Sequence, residues 1–498
     1  MNIAKSAKGC WTCKDRKIAC DKCMPKCQTC LKSGRECLGY DLRLSWPRKD
    51  DQRRSILAKD PDRSESISQG WTRQREFLNV FSSDIELSNS MISDMLPIRA
   101  SRLPNLLRNP SWAPFPLNRT QIDLFSYYEH NVAKILTSAN NSPVQNLVLR
   151  MSFTDASLAS SAILYAIYAL SSLHLSDRAQ AEEFKSKAVS AVWASTAQHP
   201  GTKDVLQRIV AAILLALFET FANPVAPYEW AADICYAKTA VIATYAPDKS
   251  YQGDPAIVLD WVYYYDVLSK FSVRHFDRRY ARQLICAKKK QIMLTEMNSP
   301  RKTSIIPTIG CSIEVLTAIS NIIDTVLEME ICDDPQHIEN IEKLERRLKY
   351  SQQEVSIDSL SDSGSFNNIE QMRNIAELYR LSGLIYLHRA ARGTSVPDQL
   401  LQKLVNDAFT VLEKLETCER TFPLFITGCE ARDDIRRGTI LRILNATQAQ
   451  FAPGNSLRAR QYIERFWMQE DLDVNQEIDY ASKVTAVLST ADSLPAFA

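Results

Sequence analysis

Cys10-Trp11-Thr12-Cys13-Lys14-Asp15-Arg16-Lys17-Ile18-Ala19-Cys20 sets a pattern that Cys27-Gln28-Thr29-Cys30-Leu31-Lys32-Ser33-Gly34-Arg35-Glu36-Cys37 repeats 17 residues later with the same cysteine spacing. Each copy reads C-x2-C-x6-C. Thiols two residues apart can turn toward one ion, and a reducing compartment keeps them from pairing as disulfides, so the spacing favours metal. Two separate tetrahedral Zn²⁺ sites need eight ligand places, and six thiolates fill them only if two sulfurs bridge. The pattern therefore specifies a binuclear cluster, with two Zn²⁺ per chain. Cys23, a seventh thiol between the copies, is left over once that ligand set is complete.

Outward from the cysteines, charge separates the same segment from the rest. Residues 1–54 carry 8 Lys and 6 Arg against 6 acids, a net +8, whereas the whole chain is only +2, so the remainder is −6. A basic head on an acidic body suits a polyanion partner. The 13 glycines in 498 residues fall far below the average of about 7%, which argues against glycine-rich phosphate loops, barrels and turn-dense sheets. Met1 to Lys8 lacks the apolar core of a signal peptide. The longest apolar run, Ile209 to Phe218, is too short for a bilayer of ~30 Å. The expectation is a soluble intracellular protein without a membrane partner.

Residues 41–117 read as a flexible linker followed by irregular chain. Arg48-Lys49-Asp50-Asp51-Gln52-Arg53-Arg54 is charged, the following Ser/Asp/Arg-rich stretch has little periodicity, and five prolines fall between Pro97 and Pro116. From Thr120, expected as an N-cap, apolar residues Ile122, Phe125, Tyr128, Val132 and Ile135 recur at helical spacing. Leu158 to Leu175 and Val205 to Phe221 are apolar on most sides and read as buried bundle helices. Ile341, Leu344 and Leu348 form a core stripe too short for a coiled coil. Ile375 to Arg389 and Leu400 to Leu415 continue the helical pattern. The fold class is mostly α: a small N-terminal metal cluster at 8–40, a linker at 41–117 and a large all-α body at 118–490.

Gly9 to Asp21, Pro25-Lys26-Cys27 and Cys30-Leu31-Lys32-Ser33-Gly34 closely resemble fungal Zn2Cys6 zinc-cluster transcription factors. The resemblance implies two short helices in the cluster. It also implies that Cys10 and Cys27 bridge the two ions, with Cys13 and Cys20 completing one and Cys30 and Cys37 the other. The first helix, carrying Lys17, then enters the major groove of double-stranded DNA, Lys17 reads guanine, Lys14 and Arg16 flank it, and Lys22 and Lys32 touch phosphates at CGG-like triplets. Ala19 and Asp15 depart from the family's more basic pattern and point to lower affinity.

Further along, Phe77-Leu78-Asn79, Leu215-Ala216-Leu217-Phe218-Glu219, Tyr386-Leu387-His388-Arg389, Pro423 to Ala431 and Glu464-Arg465-Phe466-Trp467 resemble, in order, the second type of fungal-specific regulatory domain. Their individual residues read as core, with His388 a satisfied helical histidine. The resemblance implies a nuclear regulator of RNA polymerase II genes and leaves homodimerisation and transcriptional co-regulators open. No catalytic residue emerges: His130, His174, His199, His275, His337 and His388 form no metal-binding pair, nucleophile and phosphate-loop signatures are missing, and Cys418 and Cys429 read as buried hydrophobes. Two other readings remain: a metal- or redox-sensing module that uses Cys23, and an interaction scaffold that has lost specific DNA binding.

Overall fold

The computed structural model describes residues 8–40, 116–137, 143–197, 202–222, 229–246, 249–277, 302–330, 332, 334–355, 366–394, 398–450, 454–472 and 478–497. The chain divides into two compact units, Met1–Ser101 and Arg102–Ala498. The linker reading for 41–115 and the segment beginning at Phe77 lie outside the described residues.

In the first unit, α1 (Trp11–Asp15) and α2 (Gln28–Lys32) are the described helices. Too short to be stable alone, both start on a cysteine whose sulfur caps the helix. Cys10 Sγ accepts from the Cys13 N–H at 3.4 Å, and Cys27 Sγ from the Cys30 N–H at 3.2 Å.

The second unit is helical: α3 (Arg119–His130), α4 (Pro143–Ser152), α5 (Leu158–His174), α6 (Arg178–Ala197), α7 (Thr202–Phe221), α8 (Glu229–Thr244), α9 (Asp254–Phe276), α10 (Ile313–Met329), α11 (Gln336–Tyr350), α12 (Phe366–Tyr386), α13 (Gln399–Glu413), α14 (Thr421–Cys429), α15 (Asp434–Gln450), α16 (Gly454–Leu472) and α17 (Tyr480–Ser489). The expected mostly-α class is what forms. Among the described residues the exception is one short parallel pair, β1 (Ser304–Ile305) beside β2 (Glu354–Val355), with Ser304 opposite Glu354.

The first body helix starts earlier than Thr120. Asn118 is the cap: its Oδ1 accepts from the Gln121 N–H at 2.8 Å, while Gln121 Oε1 accepts from the Asn118 N–H at 2.9 Å. This reciprocal box satisfies two helix-end donors at once, which the Thr120 hydroxyl inside the first turn does not do. Elsewhere Ser157, Ser312, Asp398 and Asp479 cap their helices as short polar side chains do.

α5 packs on α6 and α7, and α7 on α8. α9 runs beside α8, α10 and α17, while α12 lies against α13 and α14. One continuous apolar core joins them from Leu124 to Phe497. At its centre the Phe271 ring meets Tyr386, Phe422 and Phe497 edge-on, with centroids 5.4, 5.1 and 5.4 Å away, the favoured quadrupole geometry. Ile341, Leu344 and Leu348 face this core from α11. Cys418 and Cys429 are buried as expected, and burial pushes the Cys418 thiol up to about 12.

The short segments that read as core pieces meet one another. α12 runs into a turn of π-helix at Leu387–Ala391, and its Arg389 donates to both carboxylate oxygens of Glu430 at 2.7 Å. Trp467 Nε1 donates to the Gly428 carbonyl at 2.8 Å. His388 is not the satisfied histidine expected of it. Neither ring nitrogen makes a hydrogen bond, Nε2 lies 3.5 Å from Glu345 Oε1, and burial holds the ring's pKa below its usual value.

Candidate metal centre and nucleic-acid interface

The six cysteines of the two repeats converge on one point. Cys10, Cys13, Cys20 and Cys27 place their sulfurs within 4.8 Å of one another, and so do Cys10, Cys27, Cys30 and Cys37. Cys10 and Cys27 belong to both sets, and their sulfurs are 3.5 Å apart. Cys10 to Cys30 is 3.8 Å and Cys13 to Cys27 is 3.7 Å. Four sulfurs held tetrahedrally about 2.3 Å from Zn²⁺ would stand about 3.8 Å apart, so the donor set fits that ion in type and spacing. Cys23 joins neither set. It is half-buried, with its thiol 3.9 Å from the Asp21 carbonyl.

The 17-residue repeat is also a repeat of hydrogen bonds. The Cys10 N–H donates to Cys20 Sγ at 3.4 Å and the Cys27 N–H to Cys37 Sγ at 3.5 Å. The Ile18 N–H meets the Cys13 carbonyl as the Arg35 N–H meets the Cys30 carbonyl, both at 3.1 Å. These bonds divide the thiols by role. Burial opposes ionisation at Cys20, but N–H donation from Cys10 and Lys22 outweighs it and brings the thiol down to about 7. Cys37 is lowered in the same way. Burial pushes Cys10, Cys13, Cys27 and Cys30 up, as expected of crowded sulfurs whose thiolates need cations beside them.

Lys14, Arg16, Lys17, Lys22 and Lys32 are all exposed. Lys17 is not on the helix that the resemblance sends into the groove. α1 ends at Asp15 with Arg16 as C-cap, and Lys17 follows in the left-handed region at φ 54°. Lys22 is also left-handed, at φ 62°. Their partners 17 residues on are Gly34 at φ 61° and Gly39 at φ 72°. The second half thus uses the residue that favours this backbone, and the first half puts lysine there at a cost of about 1 kcal/mol each. Lys14 Nζ lies 4.6 Å from the Trp11 ring centroid, and Arg16 donates to Ser33 Oγ at 3.3 Å, tying the halves together.

Sequence reading missed Asp21, Thr12 and Thr29. The Asp21 carboxylate accepts from the Gln28 and Thr29 N–H groups at 3.0 and 3.4 Å, capping α2 from the other half. The Cys23 thiol together with those N–H groups holds it well below the usual carboxylate range. At the matching place in α1, the Thr12 hydroxyl accepts from the Leu38 N–H at 2.9 Å and donates to the Glu36 carbonyl at 3.1 Å. The equal spacing of Thr12 and Thr29 was the available signal.

A family model for the fungal specific transcription factor domain matches residues 123–488. The chain belongs to that family. A second model, for the fungal Zn(2)-Cys(6) binuclear cluster domain, matches residues 8–47 of this transcription regulator. The chain resembles the transcription factor iacI of Pestalotiopsis fici, 25% identical over 392 residues that cover 78% of this chain and 97% of that one. The arginine metabolism regulation protein II of Saccharomyces cerevisiae is 52% identical over 46 residues, 9% of this chain and 5% of its own. The acriflavine sensitivity control protein acr-2 of Neurospora crassa is 42% identical over 43 residues, 9% and 7% of the respective chains. No solved structure matches. Among the described residues no helix is long and apolar enough to cross a membrane.

Proposed function

We propose that this regulator is a nuclear, zinc-dependent, sequence-specific DNA-binding protein acting on RNA polymerase II genes. Residues 8–40 form the DNA-binding unit, 41–117 the linker and 118–490 the regulatory body. The observation that carries the reading is the pair of four-sulfur sets with Cys10 and Cys27 in common, because sharing two sulfurs is how six cysteines supply eight ligand places. When bound, Zn²⁺ supplies the cross-link and the positive charge that a unit with so little apolar core lacks.

The chain's own groups then divide the work. Cys10 and Cys27 cap the two helices with the same sulfurs that are shared, so the helix starts and the metal centre are set together. Lys17, just past the end of α1, donates to guanine O6 and N7 at a CGG-like triplet, flanked by Lys14 and Arg16. Lys22 and Lys32 donate to phosphates and add affinity without sequence information. Asp15 faces the same polyanion with the wrong sign and lowers affinity. The body is the part that answers to transcriptional co-regulators or to a second copy of the chain.

Selection of the zinc-loaded chain on random double-stranded sites tests the reading. Enrichment of CGG-like triplets is the expected outcome, singly for a monomer and paired for a homodimer. Enrichment of nothing would favour a scaffold without specific DNA binding. In a salt titration, Lys17→Ala is expected to lower preferred-site binding toward the random level. Lys32→Ala should weaken both DNAs alike, with the salt slope reduced by roughly one unit.

A further inference from the structure

α6 and α8 lie side by side and run the same way. Lys185 meets Glu229 at 3.3 Å near their starts. Further along both helices the Trp193 and Tyr236 rings stand 6.5 Å apart, and Thr196 Oγ1 lies 3.1 Å from the Tyr236 hydroxyl. The outer face of this pair lacks the charge that ordinarily covers a surface helix. From Ala188 to Ala197 α6 holds no charged residue. On α8, Lys238 turns away to Asp266 of α9 at 2.6 Å and Asp233 is half-buried, while Ala232, Cys235, Thr239 and Ile242 are exposed. Their spacing of three and four puts them on one stripe. Beside it Trp193 leaves 66% of its surface in water, and Trp is among the residues that most often anchor an interface.

Size and charge select what covers this face. α8 has 16 residues, so it is about 24 Å long, and two neighbouring helices about 10 Å wide make a face on the order of 450 Å². A stable pairing of folded chains buries about 800 Å² on each. A second copy would thus find roughly half the area it needs, whereas one helix of about the same length covers the face from end to end. Charge gathers at the start of the pair. Lys185 faces three carboxylates there, Glu182 at 3.8 Å, Glu219 at 2.5 Å and Glu229 at 3.3 Å, and Lys187 pairs with Glu183 at 2.5 Å. That end is acidic. In a symmetric pairing of two copies it would meet its like or the uncharged stretch, so a basic partner suits it better.

We infer that this face docks an amphipathic helix of a partner protein, laid antiparallel to α6 and α8. Its apolar residues, at i, i+3 or i+4 and i+7, lie against Trp193, Thr239 and Ile242, and Lys or Arg in its last turn lies over Glu182, Glu183 and Glu229. Basic residues in the last turn also suit the partner's own dipole, which fixes the direction. The inference rests on the reading of the body as the part that answers to transcriptional co-regulators.

The probe is a fluorescein-labelled synthetic helix of about 16 residues, with leucine at heptad spacing, alanine and glutamine between, and lysines in its last turn. It is titrated with the zinc-loaded 498-residue chain and read by fluorescence anisotropy. Saturable binding is expected, at least tenfold tighter than for a peptide with glutamates in place of the lysines or glutamines in place of the leucines. Trp193→Ser and Thr239→Arg, both at exposed positions, should each weaken binding at least tenfold with the helical circular dichroism unchanged. Glu182→Lys combined with Glu183→Lys should transfer the preference to the glutamate peptide. No saturable binding, equal affinity for the three peptides, or unchanged affinity in Trp193→Ser or Thr239→Arg would overturn the assignment. Concentration-dependent dimerisation that Trp193→Ser abolishes would overturn it too and give the face to a second copy. Lysine-peptide binding that survives the substitutions would move the site and keep the reading of the body, whereas no binding of any peptide would count against both. DNA is not in the assay, so the DNA reading is tested separately.

Discussion

The head at 8–40 and the body from residue 116 onward are stabilised by opposite means. In the head, the buried apolar set consists of five cysteines, with Cys20 and Tyr40 packed against them. In the body, one apolar core contains Phe271, Phe422, Phe425, Phe466 and Phe497, all nearly inaccessible to water. Burial of large side chains scales with chain length, so a short head without such a core depends on cross-links. The teaching is that in the head the residues that bind metal and the residues that make the fold are the same ones, whereas in the body stability and function can be altered separately.

The largest effect that should separate the two is metal removal. A chelator is expected to cost the head its fold altogether, since metal binding energy is folding energy in such units. Limited proteolysis of the full chain should then cleave within 8–40, while the helical circular dichroism of the body stays. Loss of the body's helices in chelator would break the comparison.

Next in size is the core. Phe271→Ala removes a ring packed against Tyr386, Phe422 and Phe497, and about 3–5 kcal/mol of body stability should go with it. The zinc content of the chain should not change. Denaturant unfolding and elemental analysis of one sample read both quantities.

A smaller effect belongs to the body alone and depends on pH. Lys185 Nζ lies 2.5 Å from Glu219 and 3.3 Å from Glu229. Burial and the hydrogen bond to Glu229 raise Glu219 to about 7, burial with the neighbouring Glu219 charge raises Asp233 to about 7, and Glu229, lowered by Glu219 and Lys185, offsets only part of this. Their unfolded values lie near 4, so the native state binds more protons between about pH 4 and 7. Stability should therefore fall as pH rises through that window and level off above it. Asp233→Asn should remove part of the slope and stabilise the body above pH 7, on the order of 2 kcal/mol. An unchanged profile by thermal unfolding would place Asp233 in water.

The smallest effect compares the head's own halves. Lys22 holds the left-handed backbone that Gly39 holds in the other half. Lys22→Gly should stabilise the zinc-loaded head by roughly 1 kcal/mol while weakening DNA binding at all sequences. A loss of stability would show that the lysine side chain supports the fold.

What could be read in advance follows the same divide. The cysteine spacing is local and chemical, so the cluster was legible from the sequence, and the helix periodicity exposed the class of the body. The placement of Lys17 was not, because a helix of five residues ends where its cap geometry decides. The matching Gly34 was the clue in plain sight. Asn118 was passed over for Thr120 because the capping box depends on Gln121 answering back. The surroundings of His388 and Arg420 carried no signal at all: Glu345 beside the one and the Leu136 and Pro307 carbonyls that accept from the other are set by the packing of the body, where the groups that meet are separated by tens to hundreds of residues along the chain.

The central claim is that six cysteines hold two metal ions by sharing Cys10 and Cys27, with Cys23 outside the set. The zinc-to-chain ratio of the 498-residue chain, measured by elemental analysis after gel filtration alongside Cys23→Ser, tests it directly. The account predicts two zinc ions per chain in both proteins. One ion per chain, or loss of an ion in Cys23→Ser, would contradict it.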